Sequence, residues 1–532
     1  MSRTPAKSPA PAPQAAEPAT NANAASPRGT RFFLGLSCFL AGAAMMVIEI
    51  CAYRLLAPFF GNSVYTWTAL IGVILIAFSA GGFLGGHLAD RKMALDLLGW
   101  LLAGSAVLTF FIPALHTAFA LSLSAHGLIA GPVMISLLLF AIPGILLGAV
   151  SPAAVRFYSL TLKDTHVGAA AGTISMLGSL GSFVGTFLSG FFLLSTFGVR
   201  SIFFGTAALL LVLAVAAFLL AKNTLKQQAP VILSGIFAFG MSWLTAPTPK
   251  PGVLFEHESF YHHIEVSERQ VDGIMRRVLQ LDSTAEGGMD AKTGDLIMPY
   301  QQYWKLALLR NPAKVSSALF IGAGAFGMPE NVSRDFPEAA VDVVEIDPQV
   351  IEVGRKYFKL DEHPRVKAHA GDARRYLLEN GGKKWDLIFG DAYNGVRQIP
   401  PHLVTQEFYQ QIADHLEPKG VFIMNLIAAV AGPRSELTSG MLATLRKVFP
   451  HVEIFDVEAL GHYPPDRVRN VILMCSREDL KPLIKDRYAA DGSWEKRLID
   501  THIPAGTVPR SAYVFTDDHN PVDAIIARGL LE

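Results

Sequence analysis

The chain has 532 residues, of which 51% are hydrophobic and 17% are charged. So few charges in a chain of this size exclude a wholly water-soluble protein, and part of the chain is expected to lie in a membrane. The 45 basic and 45 acidic side chains cancel, so the net charge gives no support to nucleic-acid binding. Cys38, Cys51 and Cys475 are too far apart in sequence for a metal knuckle, and we expect neither a disulfide nor a metal site.

The first half of the chain is predicted to be a tail followed by a helical membrane domain. Residues 1–30 carry too little apolar surface to offset the entropy of ordering, which predicts a disordered tail. Residues 31–250 contain apolar segments of the roughly 20 residues needed to cross a hydrocarbon core. A weaker seventh segment, Val231–Ala246, is short and ends at a proline-rich stretch, which favours an interfacial or re-entrant element. The six clear segments lie near Phe32–Ala52, Tyr65–Gly86, Leu95–Leu115, Leu128–Val155, Gly172–Leu194 and Ile202–Ala221.

Basic residues mark the chain before the first segment and every second connection after it, and the positive-inside rule places these positions in the cytoplasm. The loop His116–Gly127 contains no Lys or Arg and is expected outside. Six crossings predict a cytoplasmic soluble domain anchored in the inner or plasma membrane, whereas a spanning seventh segment would place that domain outside. The basic residues are Arg3, Lys7, Arg28, Arg31, Arg91, Lys92, Arg156, Lys163, Lys222 and Lys226.

Two ionisable residues, Glu49 and Arg54, lie near the end of the first segment. Because charge at membrane depth is costly, the two form either a functional site or an interfacial pair that orients the helix. Glycines spaced four apart allow close helix approach, and they predict bundle packing or dimerisation more readily than a conduction path. These glycines are Gly81 with Gly85, Gly82 with Gly86, and Gly181 with Gly185.

The second half of the chain has the pattern of a soluble α/β domain. Residues 251–317 begin with two alternating stretches, SFYHHIEVSE and RRVLQLDS, typical of a small β-hairpin module, followed by a linker helix. In residues 318–532, strand-length apolar runs alternate with helical patterns. This rhythm predicts a Rossmann-like, doubly wound parallel sheet with ligands at the carboxyl ends of its strands.

A glycine-rich bend follows the first strand of that sheet. Gly322, Gly324 and Gly327 lie between a strand and a helix, where backbone amides approach a ligand closely. Glu345 ends the next strand, where a carboxylate accepts hydrogen bonds from ribose hydroxyls. Asp372 and Asp391 end the two strands after that, and Asp372 is suited to an adenine amine. Buried unpaired carboxylates are costly, so this set indicates a nucleoside site.

The soluble half resembles the spermidine synthase family, in its membrane-fused branch. The resemblance implies a methyltransferase-type fold that binds S-adenosylmethionine or its decarboxylated form, without a metal, and that releases methylthioadenosine. It implies cofactor contacts for His262 and Gln301 and catalytic roles for Tyr300, Asp391 and Tyr393, the last as a wall of the site. The motifs that carry it are ESFYHHIEV, LQLDS, PYQQY, IGAGAFG, VVEIDP, AGDA, DAYNG, HLVTQEFY and TDDHNPVD.

The sequence departs from the family where the family holds cationic amines. Ala325 replaces an Asp of the glycine loop, Asn394 replaces the second acid of the catalytic loop, and Gln302 replaces a Glu. His262 stands where the family has a Gln. Each charge-assisted hydrogen bond contributes about 1.5 to 3 kcal/mol, so putrescine is predicted to be a poor acceptor.

The favoured hypothesis is therefore a lyase that cleaves S-adenosylmethionine without an acceptor, giving methylthioadenosine with homoserine lactone or homoserine. One alternative is aminopropyl transfer from decarboxylated S-adenosylmethionine to an amine, and another is a channel or transporter gated by nucleoside binding. We expect a small-molecule nucleoside and the lipid bilayer as partners, and a homo-oligomer, with a dimer favoured. His263, His402 and His519 are interpreted as structural, and Asp517 with Asp518 as caps of a turn.

Overall fold

The structure is a computed structural model that describes residues 27–61, 63–91, 95–162, 167–222, 225–244, 251–309, 314–393, 398–459, 464–480, 493–504, 506–511 and 513–531. The predicted disordered tail lies outside these residues up to position 26, as do Lys92, Lys163 and Asn394.

The first half of the described chain is a bundle of apolar helices. Six of its helices are long and apolar enough to cross a membrane, which agrees with the six predicted segments. The fifth continues through a π-helical turn, Ser189–Leu193, and a short helical turn, Leu194–Thr196. In chain order the bundle contains α1 (Pro27–Phe60), α2 (Val64–Arg91), α3 (Leu95–Ser124), α4 (Gly127–Leu160), α5 (Val167–Leu188), α6 (Val199–Leu220) and α7 (Leu225–Leu244).

Glycines bring two pairs of helices into backbone contact. A Cβ atom added at Gly81 on α2 would lie 2.1 Å from the Ile145 carbonyl oxygen on α4, and one at Gly181 on α5 would lie 1.8 Å from that of Phe39 on α1. The predicted packing role is confirmed for these positions and for Gly85 and Gly185. Gly82 and Gly86 face open space, so they do not pack within the bundle, and a role in dimerisation stays a prediction for this pair.

The seventh apolar segment forms a regular helix. α7 has 20 residues, which gives a length of about 30 Å, similar to a hydrocarbon core. The Ser242 hydroxyl donates a hydrogen bond to the Phe110 carbonyl on α3, and Gly235 packs against Leu211 of α6. Helix α6 ends at the same end of the bundle where α1 begins, so α7 carries the chain back to the opposite end.

The soluble half packs against that opposite end of the bundle. Arg54 near the end of α1 contacts the backbone of Ser259, and Gly61 lies against the side chain of Gln398. Leu128 at the start of α4 belongs to a buried apolar cluster made mostly of soluble-domain side chains, including Ile525 of the last helix. The connections α1–α2 and α3–α4 therefore face the soluble half.

A four-stranded antiparallel sheet opens the soluble half, where the sequence predicted two alternating stretches. Its strands pair in chain order and are followed by a 3-10 helix, Pro299–Leu309. The fourth strand contains only one large apolar residue, Met289, which is why its pattern is weak in the sequence. The strands are β1 (Val253–Glu258), β2 (His263–Val271), β3 (Ile274–Leu281) and β4 (Thr284–Asp290).

The rest of the soluble half is an eight-stranded sheet with strand order β12-β10-β11-β9-β8-β5-β6-β7. Strands β5 to β9 pair in parallel, as predicted, and β10 to β12 add an antiparallel edge. The strands are β5 (Ser317–Ile321), β6 (Ala340–Glu345), β7 (Val366–Ala370), β8 (Trp385–Gly390), β9 (Leu416–Ala428), β10 (His451–Asp456), β11 (Arg469–Ser476) and β12 (His502–Ile503). The helices are α8 (Gly327–Asp335), α9 (Pro348–Tyr357), α10 (Ala373–Glu379), α11 (Gln406–Asp414), α12 (Glu436–Leu445), α13 (Trp494–Asp500) and α14 (Val522–Leu531).

Candidate active site

Four neighbouring parallel strands bring the predicted residues to one edge of the sheet. In spatial order β8, β5, β6 and β7 end next to Asp391, Gly322, Glu345 and Asp372. Neighbouring strands are about 4.8 Å apart, so the row spans roughly 14 Å. This length suits a nucleoside that carries a short alkyl chain.

A cavity of about 270 Å³ lies along this row, between the sheet edge and the β1–β4 module. Its ionisable lining is acidic apart from two histidines, and the described lining residues include no Lys or Arg. The lining acids are Glu286, Glu345, Asp372 and Asp391. Such a lining favours a ligand with positive charge.

Gly322 and Gly324 shape the floor of the cavity through left-handed backbone conformations. Gly322 has φ +91°, and a Cβ atom added there would lie 2.3 Å from the Asp391 carbonyl oxygen. Gly324 has φ +48° and packs against the Glu286 carbonyl. Glycine tolerates these angles without strain, so the bend after β5 approaches both loops closely.

Glu345 is held by two backbone amides at the end of β6. Its carboxylate accepts hydrogen bonds from Ala323 N at 3.0 Å and from Asp347 N at 2.9 Å. The side chain is buried, and this burial raises the pKa of Glu345. Each oxygen retains a free lone pair for a ligand hydroxyl, so the geometry suits a ribose diol.

Asp372 caps the start of α10 and pairs with a histidine. Its carboxylate accepts a hydrogen bond from Arg375 N at 2.9 Å, and His402 Nε2 lies 2.7 Å from its other oxygen. The hydrogen bond from His402 lowers the pKa of Asp372. His402 lines the cavity beside this carboxylate, so the prediction of a purely structural role for it does not describe its position.

Asp391 lies at the other end of the row, within hydrogen-bonding distance of two side chains. The Asn425 amide donates to its carboxylate at 2.8 Å, and the Tyr300 hydroxyl donates as well. Burial raises the pKa of Asp391 to about 6, although both hydrogen bonds oppose that shift. Tyr300 itself is buried next to this carboxylate and is not part of the described cavity lining. Burial raises the pKa of Tyr300 well above its usual value.

Sequence reasoning missed Glu286, a second carboxylate at this end of the cavity. Glu286 lies on β4, and burial together with the charge of Asp391 raises its pKa to about 8. Its carbonyl oxygen lies 3.3 Å from the Tyr300 hydroxyl, which also faces Asp391. Its only signal in the sequence is an acid directly before Gly287 and Gly288 in a strand with few apolar residues. The cavity therefore has one more carboxyl group than the loss of family carboxylates had suggested.

His262 and Tyr393 complete the walls. His262 lines the cavity and its Nδ1 lies 3.1 Å from the Asp282 carboxylate, which orients the ring. Burial opposes ionisation of Asp282, but the contacts with His262 lower its pKa overall. Tyr393 lines the cavity as predicted, and its hydroxyl donates to the Asn425 carbonyl at 3.1 Å.

Two predicted cofactor contacts, Gln301 and Gly327, do not line the described cavity. The Gln301 side chain is buried between the Met298 amide and Gly287, and Gly327 lies against Leu296. Ala325 is also buried, next to Gly287, and Asn394 lies outside the described residues. Gln301 and Gly327 thus pack against the segments around the cavity without lining it.

The remaining predicted residues have other partners. His263 pairs with Glu256 and Glu258, which is a structural position, and Asp517 forms an ion pair with Arg374 instead of capping a turn. In a tight turn, the His519 amide donates to the Thr516 hydroxyl. The described residues contain no cluster of His, Cys, Asp and Glu that could hold a metal, and the expectation of a metal-free reaction stays a prediction.

Part of the soluble half is similar in sequence to known proteins. Residues 305–461 match the Spermine/spermidine synthase domain family. The chain is 33% identical over 207 residues to the polyamine aminopropyltransferase of Vibrio vulnificus, which covers 37% of this chain and 65% of the Vibrio protein. It is 24% identical over 443 residues to polyamine aminopropyltransferase 2 of Aquifex aeolicus, which covers 78% of this chain and 82% of that protein.

A third relative is a human methyltransferase. The chain is 35% identical over 167 residues to the human eEF1A lysine and N-terminal methyltransferase, covering 29% of this chain and 23% of the human protein. The matches thus span less than two thirds of the Vibrio and human proteins. Within the soluble half, residues 305–461 match the spermine/spermidine synthase domain, the family that the motifs predicted.

Proposed function

We propose that the soluble domain transfers an aminopropyl group from decarboxylated S-adenosylmethionine to an amine. The observation that carries this proposal is the pair Glu286 and Asp391, two carboxylates at the end of the cavity away from Glu345 and Asp372. Two carboxyl groups close together, of which Asp391 is mainly ionised at neutral pH, favour a sulfonium with its ammonium group and a cationic acceptor.

The same pair suits the proton transfer that the reaction requires. The acceptor nitrogen must lose a proton before it attacks the carbon next to sulfur. The new C–N bond then forms as the C–S bond breaks, the electron pair goes to sulfur, and neutral methylthioadenosine leaves. Glu286, with a pKa of about 8, and Asp391, with a pKa of about 6, lie near the range in which a carboxylate accepts that proton efficiently at neutral pH.

Acceptor-free cleavage of S-adenosylmethionine receives less support. That substrate carries a carboxylate of its own, which would meet Glu286 and Asp391 in a cavity whose described lining has no Lys or Arg. The Vibrio and Aquifex relatives also bear the name of the transferase. The lyase hypothesis rested on three lost family carboxylates, and Glu286 adds one carboxyl group to the cavity.

The test incubates purified full-length protein with each nucleoside, with and without putrescine, and follows the products by mass spectrometry. We expect methylthioadenosine and spermidine only when decarboxylated S-adenosylmethionine and putrescine are both present. Methylthioadenosine from S-adenosylmethionine alone would establish the lyase instead, and S-adenosylhomocysteine would indicate methyl transfer. The Asp391→Asn variant is the control for contaminating activity.

We further propose that the soluble domain lies on the extracytoplasmic side. It packs against the α1–α2 and α3–α4 connections, which are poor in basic residues, whereas Arg28, Arg31, Arg91, Arg156 and Lys222 lie at the far end of the bundle. The positive-inside rule assigns that far end to the cytoplasm. The expectation of a cytoplasmic domain assumed six crossings, whereas this proposal takes α7 as a seventh.

Labelling with a membrane-impermeant maleimide tests this orientation. The native cysteines Cys38, Cys51 and Cys475 are buried, so the background is low. We expect Ser283→Cys, on an exposed turn of the soluble domain, to be labelled in intact cells, and Asp90→Cys, at the far end, only after permeabilisation. The reverse pattern would place the domain in the cytoplasm.

A further inference from the structure

We infer that Arg54, on the first membrane helix, is a positioning residue for the nucleoside cavity. This inference rests on the proposed function only in naming the ligand. Arg54 does not pair with Glu49, as the sequence suggested, but reaches the segment between β1 and β2. That segment includes Tyr261 and His262, which both line the cavity.

The guanidinium of Arg54 contacts three groups of this segment. It donates to the Tyr261 carbonyl, to the Ser259 carbonyl at 3.2 Å, and to the Glu258 carboxylate at 3.4 Å. The Arg54 side chain is only 8% exposed. A buried guanidinium without these acceptors would be costly, so the helix and the segment are held together as a unit.

Ser259 extends this contact toward the cavity. Its hydroxyl accepts hydrogen bonds from Tyr261 N at 3.0 Å and from His262 N at 2.8 Å, which sets the backbone of the cavity wall. The same hydroxyl donates to the Asp347 carboxylate. One serine therefore links the wall to the loop that follows β6.

Asp347 completes the path to the ribose site. Its backbone amide donates to Glu345 at 2.9 Å, and its side chain accepts a hydrogen bond from Gln349 N at the start of α9. The connected groups thus run from Arg54 through Ser259 and Asp347 to Glu345. A charged side chain of the membrane helix fixes the position of the carboxylate that is proposed to bind the nucleoside.

Residues outside this path make a matched control possible. Arg156 forms an ion pair with Asp90 at 3.5 Å, at the opposite end of the bundle. Its replacement removes a membrane-helix arginine of the same charge, far from the cavity. Arg54→Lys retains the charge but not the several directed donors of a guanidinium.

The experiment uses the full-length protein in lipid nanodiscs and measures two quantities. Calorimetry gives the Kd of methylthioadenosine, a neutral nucleoside that needs Glu345 but not the acidic end of the cavity. Hydrogen exchange followed by mass spectrometry reports the Tyr261 and His262 amides. We expect Arg54→Gln to raise the Kd about tenfold and to speed exchange of both amides. For Arg54→Lys, both the Kd and the exchange rates should lie between those of Arg54→Gln and the unmodified protein. For Arg156→Gln, both should equal those of the unmodified protein.

Unchanged exchange and an unchanged Kd in Arg54→Gln would overturn the inference. If Arg54→Gln does not fold, Ser259→Ala breaks the same path inside the soluble domain and is expected to give the same two effects. Failure of the unmodified protein to bind methylthioadenosine would count against the proposed function instead, and the exchange rates would still decide whether Arg54 holds the wall.

Discussion

The Asn425 amide donates a hydrogen bond of 2.8 Å to the Asp391 carboxylate, from the strand next to the one that Asp391 follows. Asn425 is buried, and its own oxygen accepts a hydrogen bond from Asn470 at 2.9 Å. The amide is therefore fixed by a third strand, and it stabilises the ionised form of Asp391 in a site where burial favours the neutral form.

Replacing Asn425 should change the pH dependence of catalysis. Asn425→Ala removes a donor to the charged form, so the pKa of Asp391 rises further above its ordinary value. We expect the acid limb of the kcat/KM profile to move up by about one pH unit. An unshifted limb in this variant would mean that Asp391 does not control the profile.

Ionisation of Glu286 should lower the stability of the folded protein and strengthen the binding of cations. Its folded-state pKa of about 8 lies above that of an unfolded chain, so its stabilising contribution is complete below about pH 4.3 and is lost as the pH rises through 8. We expect Glu286→Gln to leave the Tm of the ligand-free protein unchanged near pH 4, to raise it at pH 6 and to raise it most at pH 9. Glu338→Gln, on an exposed carboxylate, is the control.

The same residue makes cation binding depend on pH. Below pH 8 Glu286 is mostly protonated, and above it the acidic end of the cavity gains a negative charge. The affinity for decarboxylated S-adenosylmethionine, relative to neutral methylthioadenosine, should therefore rise between pH 7 and pH 9. In Glu286→Gln this ratio should stay flat, and a parallel rise in both proteins would assign the effect to another group.

Glu345 should carry much of the nucleoside affinity. Its two oxygens are oriented by backbone amides, so Glu345→Gln replaces an acceptor pair by one acceptor and one donor while keeping the shape. With about 1.5 to 3 kcal/mol for a hydrogen bond to a charged group, we expect the Kd of methylthioadenosine to rise about 30-fold or more. An affinity equal to that of Glu338→Gln would refute the ribose assignment.

Gly322 should be the least replaceable glycine of the site. Ala at this position combines a left-handed backbone with a contact to the Asp391 carbonyl, so we expect the free energy of unfolding to fall by about 2 to 4 kcal/mol. Gly273 has φ +78° but open space around it, so Gly273→Ala costs only the backbone strain, about 1 kcal/mol. Equal losses measured by thermal unfolding would show that the close approach to Asp391 is unimportant.

The row of acids at the sheet edge could be predicted because strand ends in a parallel sheet meet at one edge. Glu345, Asp372 and Asp391 each lie at the end of a predicted strand, and the structure brings them to one cavity. Glu286 could not be found in this way, since it lies within a strand of a separate sheet. Its position depends on how the β1–β4 module packs over the glycine bend, which the local sequence does not encode.

The contacts of Arg54 could not be predicted from the sequence for a similar reason. A charge near the end of an apolar segment indicates a partner but not which one, and the partners here lie about 200 residues further along the chain. The apolar character of α7 was visible in the sequence, but the proposal that it crosses the membrane depends on which end of the bundle the soluble domain contacts.

The docking of the soluble domain on the bundle has a practical consequence for how the protein can be studied. Cutting the chain at residue 251 would remove the guanidinium that covers Glu258 and Ser259, and it would expose the apolar face of α14 that packs on α4. Such a fragment would lack one support of its own binding pocket and carry an aggregation-prone surface. Inactivity of the severed piece would therefore say little about the chemistry of the intact chain.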